Sequence, residues 1–126
     1  MPLVRISYTS GQAPSLAILL SKGVHRAMVD TFNVPETDYF QVLSEHDAGT
    51  GLVWPDVFLG IEHGDNPVFV QITCAEGRTV AQKKALYRAI VDNIEAVGIA
   101  PNDVIINLIE TKKENWSFGN GDAPFA

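Results

Sequence analysis

Pro2 is the residue in this chain with the most chemistry to offer, because the sequence opens Met1-Pro2-Leu3-Val4-Arg5-Ile6. Methionine aminopeptidases remove an initiator Met that precedes a small residue such as Pro, and removal makes Pro2 the new terminus. A main-chain proline nitrogen is an amide without basicity. A terminal one is a secondary amine, and α-amino groups titrate near pH ~7.7–8.0. An apolar wall or a nearby cation lowers that value, since both disfavour the charged form. Such an amine can act as general acid, general base or nucleophile. Arg78 stands just before a helical stretch, where free backbone N–H groups favour anions. The other reactive types read as structural. Cys74, the only cysteine, closes a strand-like run and reads as a small buried hydrophobe. Glu45-His46-Asp47 contains metal-ligand types, but neighbours on a strand alternate faces, so a surface turn and no metal are expected. His63 falls in a polar loop and is expected to be solvated.

Composition narrows the partners. With 9 Lys and Arg against 15 Asp and Glu, and no basic block, nucleic acid is excluded as an expected partner. No apolar run approaches the ~20 residues that span a bilayer, so no membrane partner is expected. No basic segment followed by an apolar one precedes the first strand-like run, and a lone cysteine forms no intrachain disulfide. The expected setting is cytoplasmic. A chain of 126 residues is expected to be one domain.

The elements that must position Pro2 and Arg78 come as a repeat. Pro2-Leu-Val-Arg-Ile-Ser aligns with Pro67-Val-Phe-Val-Gln-Ile, and His25-Arg-Ala-Met-Val-Asp30 with Tyr87-Arg-Ala-Ile-Val-Asp92. Asp38-Tyr-Phe-Gln-Val-Leu-Ser-Glu45 aligns with Asp103-Val-Ile-Ile-Asn-Leu-Ile-Glu110. Each half, about 2–46 and 67–111, reads as strand, helix, strand. Leu3 to Thr9 and Val68 to Thr73 are rich in β-branched and aromatic residues. Leu16, Leu19, Leu20, Val24, Ala27, Met28 and Phe32 recur at helical spacing, with Ser10 or Ser15 as candidate cap. The second helix is expected from about Thr79 to Val97, with Thr79 as its cap and Gly98 and Pro101 ending it.

Two βαβ units with right-handed crossovers make an α/β (α+β) fold: one four-stranded mixed sheet with both helices on one face. The bare face is expected to carry Val4, Ile6, Tyr8, Phe40 and Val42, or their neighbours of the other parity. That much apolar sheet predicts self-association. Residues 47–66 are expected as a long joining loop, and 115–126 as a hairpin tail whose aromatics cover a site or a neighbouring subunit.

Together these features resemble the tautomerase superfamily, over nearly the whole chain, and three segments resemble its malonate semialdehyde decarboxylase subgroup. The segments are Val34-Pro-Glu-Thr-Asp38-Tyr-Phe-Gln-Val42, Ala75-Glu-Gly-Arg78-Thr-Val-Ala-Gln-Lys83 and Asn115-Trp-Ser-Phe-Gly119. The resemblance implies the superfamily's fold, shared with macrophage migration inhibitory factor (MIF), a homotrimer, no cofactor, and catalysis by a terminal proline on a small oxo acid. It places the essential aspartate on Asp38 and the carboxylate-binding arginine on Arg78, with Trp116 and Phe118 as site walls. His25 matches a helix position where related dehalogenases carry a histidine, and so is a candidate substrate contact. The chain departs from its best-known relative in having one arginine, with Glu76 two residues before it, where that relative has two. The reactions implied are keto–enol tautomerisation or decarboxylation of a malonate-semialdehyde-like 3-oxo acid. The alternatives are a hydratase or dehalogenase on an unsaturated acid, or a cytokine-like binding protein on the same scaffold.

Overall fold

The computed structural model describes all 126 residues. The elements are β1 (Pro2–Thr9), α1 (Leu16–Phe32), β2 (Phe40–His46), β3 (Val57–Phe58), β4 (Ile61–Glu62), β5 (Val68–Ala75), α2 (Val80–Glu95) and β6 (Val104–Thr111), with short 3-10 turns at Pro101–Asp103 and Lys113–Asn115. The main sheet has the order β2-β1-β5-β6. β1 and β2 run parallel, as do β5 and β6, and the two halves meet antiparallel through β1 and β5. This is the mixed sheet expected from the repeat.

Both helices cover one face. Leu20, Val24, Ala27 and Met28 of α1 and Leu86, Ile90 and Ile94 of α2 are buried against Val4, Ile6, Val70 and Ile72 of the central strands. Each of the Val, Leu, Ile and Met side chains among them contributes about 1.5–3 kcal/mol on burial. The helices approach closely at Gly23. A side chain there would have its Cβ 3.3 Å from Cβ of Asn93, whose Nδ2 donates to the Gly23 carbonyl at 2.9 Å. α1 ends where Asn33 turns left-handed at φ 56° and returns its N–H to the Met28 carbonyl. Ser15 occupies the cap position of α1 but makes no side-chain cap bond. Thr79 caps α2 with a full capping box: its hydroxyl accepts from the Gln82 N–H, and the Gln82 side chain accepts from the Thr79 N–H.

The structure decides one expectation left open and corrects two. Val4, Ile6 and Tyr8 lie under the helices, not on the bare face. Register puts Leu3 beside Phe40, Arg5 beside Val42 and Ser7 beside Ser44, so the uncovered face carries the other parity of β1 and is only partly apolar. The joining segment is not all loop. Val57–Phe58 and Ile61–Glu62 pair as a small hairpin, turned by Leu59 at φ 51° and Gly60 at φ 76°. Two-residue strands are too short to show an alternation in sequence. The tail forms no hairpin; after the Lys113–Asn115 turn it has no strand. It folds back on its own sheet, with the Phe118 ring 5.5 Å from Phe40, stacked on Trp116 at 5.4 Å and met edge-on by Phe125 at 6.4 Å. Aromatic stacking of this kind replaces the backbone ladder that a hairpin would have used.

Candidate active site

Pro2 opens β1 at the centre of the sheet. It is buried and lies opposite Cys74 at the end of β5. Met1 precedes it, and the Met1 ammonium is 3.0 Å from Oδ2 of Asp38. Asp38 reaches this point from the segment between α1 and β2, whose turn is closed by Asp38 N–H donating to the Pro35 carbonyl at 3.0 Å. The segment is anchored from behind. Arg26 grips the Glu36 carboxylate with both terminal nitrogens, at 3.1 and 3.0 Å, and that bond raises the arginine pKa.

His25 belongs to the same anchor. Its Nε2 is 2.8 Å from the Glu36 carbonyl oxygen and its ring meets Tyr39 edge-on at 5.2 Å. It lines neither the cavity of Asp38 nor that of Arg78. His25 thus packs on the segment that carries Asp38, between the Glu36 carbonyl and the Tyr39 ring.

Arg78 approaches from the other side, on the loop between β5 and α2. Gly77 makes the turn at φ 121°, a backbone state that favours glycine. The loop is tied to the end of β6 by the Glu76 N–H donating to the Thr111 carbonyl at 2.9 Å, and Glu110 beside it accepts from Lys83 Nζ at 2.6 Å. Lys83 chiefly, through that hydrogen bond, holds the Glu110 carboxyl below its ordinary pKa. Arg78 itself is pinned: Nη1 donates to the Ala75 carbonyl at 3.1 Å, Nη2 to the Phe32 carbonyl at 3.3 Å, and the guanidinium carbon stands 4.9 Å from the centre of the Phe32 ring.

Three cavities follow one another here. One of about 360 Å³ contains Arg78, Glu76 and Lys113; one of about 290 Å³ contains Asp38, Phe118 and Phe125; Met1 is the single residue lining both. The third, about 450 Å³, shares Phe40 and Phe118 with the second and adds Leu3, Thr111 and Trp116. Trp116 is fixed by its Nε1–H donating to Thr111 Oγ1 at 2.9 Å, and that hydroxyl donates to the Cys74 carbonyl at 3.2 Å. The structure thus brings Pro2, Asp38, Arg78, Trp116 and Phe118 to one end of the sheet. Sequence reading missed Phe125 and Lys113. Phe125 stands in a short polar tail with no periodic signal, and Lys113 is one of two adjacent lysines with nothing to single it out.

Burial, the main cause, pushes the Cys74 thiol up, which keeps it protonated and unreactive beside Pro2. Glu45, His46 and Asp47 go separate ways. Glu45 pairs across from Tyr8, His46 meets Ser44, and Asp47 accepts from the Ser10 hydroxyl at 2.7 Å. His63 is bound rather than free, with Nδ1 at 2.7 Å from the Pro55 carbonyl oxygen. No helix is long and apolar enough to cross a membrane.

Two family models described as "Tautomerase enzyme" match the chain, over residues 38–119 and 2–58. A probable tautomerase of Bacillus subtilis (strain 168), YusQ, is 39% identical over 98% of this chain and 97% of its own. The crystal structure of FG41 malonate semialdehyde decarboxylase inhibited by 3-bromopropiolate is 31% identical and superposes with a TM-score of 0.91, covering 96% of this chain and 92% of that one. A fused 4-OT solved as a symmetric trimer is 26% identical, with a TM-score of 0.78 over 96% of this chain and 94% of its own.

Proposed function

The chain belongs to the tautomerase family of enzymes, and from that premise we propose that it acts on a small oxo acid through the amine of Pro2, exposed by loss of Met1. Within the family it is malonate semialdehyde decarboxylase-like. The observation that carries the reading is the place of Met1, the one residue that lines both the Asp38 cavity and the Arg78 cavity. Its removal would leave the Pro2 nitrogen as the chain terminus beside both. Successive Cα atoms are ~3.8 Å apart, so the new amine arises within a few ångströms of the ammonium it replaces, and hence close to Asp38.

The assigned reaction is decarboxylation of a 3-oxo acid. Arg78 holds the substrate carboxylate, and Asp38 favours the protonated Pro2 amine, which faces the substrate carbonyl. The carbon–carbon bond to the carboxylate breaks and CO2 leaves. The electron pair moves to the carbonyl oxygen, which takes the proton from Pro2, and the resulting enol returns to the aldehyde or ketone. A second reading, keto–enol tautomerisation, is favoured by the likeness to the probable tautomerase. There Pro2 works neutral, taking a proton from carbon and returning one to oxygen. Trp116, Phe118 and Phe125 give the site an apolar wall.

The proposed assembly is a homotrimer. Leu3, Phe40, Val42 and Ile109 are exposed, and all but Ile109 lie on the β1–β2 part of the uncovered face. The related fused 4-OT forms a symmetric trimer. Intact-mass measurement combined with a screen of 2-oxo and 3-oxo acids tests the whole reading. Active protein that retains Met1 would overturn the Pro2 mechanism.

A further inference from the structure

We infer that Lys113 is a second substrate-anion contact, which with Arg78 makes the carboxylate end of the site a two-cation cradle. The inference rests on the reading of Arg78 as the carboxylate anchor. Lys113 begins the 3-10 turn after β6, far from Arg78 in sequence, yet both side chains line the same cavity.

Two observations give Lys113 this role. The first is commitment. Two of the Arg78 N–H groups already donate to the Ala75 and Phe32 carbonyls, and its face lies on Phe32. The side chain is therefore fixed and presents only its remaining donors. Neither Arg78 nor Lys113 has a carboxylate oxygen within 4.0 Å, whereas nearby Lys83 is bound to Glu110. Lys113 is the uncommitted, flexible cation beside a fixed one.

The second is sign. The side chains with charge that line this cavity are Glu76, Arg78 and Lys113. Among these side chains Glu76 offsets one positive charge, and Lys113 supplies a second beside Arg78. With it, the cavity is positive on a chain whose formal charge is −6. Lys113 thus strengthens the draw on a carboxylate held by Arg78, and its long stem lets it follow substrates of different length. The ligand class is a mono- or dicarboxylate whose acid end lies between the two cations.

Malonate serves as a non-reacting probe, titrated by NMR into the parent, Lys113→Gln, Lys113→Arg, Lys112→Gln and Arg78→Ala. The expected result is a Kd for malonate about 2- to 5-fold weaker in Lys113→Gln, the range of a solvent-exposed charge pair. Lys113→Arg restores binding, Lys112→Gln leaves it unchanged, and the gap closes in ~1 M salt, where the screening length is about 3 Å. Arg78→Ala is expected to abolish measurable binding. Equal affinity of parent and Lys113→Gln, or a parent that binds no malonate, overturns the inference. The titration is independent of turnover: a processed parent that binds malonate through Lys113 but converts no oxo acid would sink the proposed function and leave the cradle standing.

Discussion

The Met1 ammonium lies 3.0 Å from Oδ2 of Asp38, and Pro2 follows it directly into the buried start of β1. A positive amine at the head of the chain is thus received by a carboxylate from the segment before β2. The same carboxylate is in place to receive the Pro2 amine once Met1 is gone. In processed protein, Asp38→Asn keeps the shape and removes the charge. It is expected to lower kcat about 10²-fold or more with little change in KM, as for loss of a group that supports proton transfer. Steady-state kinetics on any oxo acid the parent converts checks this. Unchanged kcat would make Asp38 structural and leave tautomerisation by Pro2 and Arg78 as the better account.

Arg78 is assigned to an interaction present before and during the chemical step. Arg78→Ala should therefore mainly raise KM, roughly 10- to 150-fold for a charge-assisted bond of ~1.5–3 kcal/mol. The side chain also holds the Ala75 and Phe32 carbonyls, so some stability is lost too. Rates per folded molecule, with the folded fraction measured by circular dichroism, separate the two effects. A normal KM at reduced stability would assign Arg78 to the scaffold alone.

Trp116→Ala tests the wall. The ring stacks on Phe118 in an exposed tail and is tied to the sheet by one bond to Thr111. Activity should fall by about tenfold or more while the melting temperature moves by only a few degrees. A large drop in melting temperature with normal turnover would assign the tail to packing.

Lys83 and Glu110 predict a pH window for stability. Glu110 is held below its ordinary value of 4.5, mainly by the hydrogen bond from Lys83. Its contribution is full above that value and is lost as pH falls through the lowered one. Lys83 is raised above 10.5 by the same bond, so its contribution is full below that value and lost as pH rises through the raised one. The stability gap between parent and Glu110→Gln should be widest between about pH 5 and pH 10 and should close at both ends. Thermal melts across pH measure it. A gap that persists undiminished below pH ~3 would assign the effect of Glu110 to shape instead of charge.

The sequence alone determined the repeat, the four long strands, both helices, the Thr79 cap and the residues of the Pro2, Asp38, Arg78 and Trp116 cluster. Those are local properties: a period of two or 3.6, a hydroxyl just before a helical run, a short motif. Tertiary structure decided what depends on how elements meet. Interstrand register chose which parity of β1 faces the helices, and buried Val4, Ile6 and Tyr8 while leaving Leu3 out. The packing of α1 beside the Asp38 segment set His25 against the Glu36 carbonyl. The return of the tail across its own sheet brought Phe125 to the Asp38 cavity, and the end of β6 set Lys113 beside Arg78. None of these has a local period, because each is set by the summed packing of surfaces far apart in the chain.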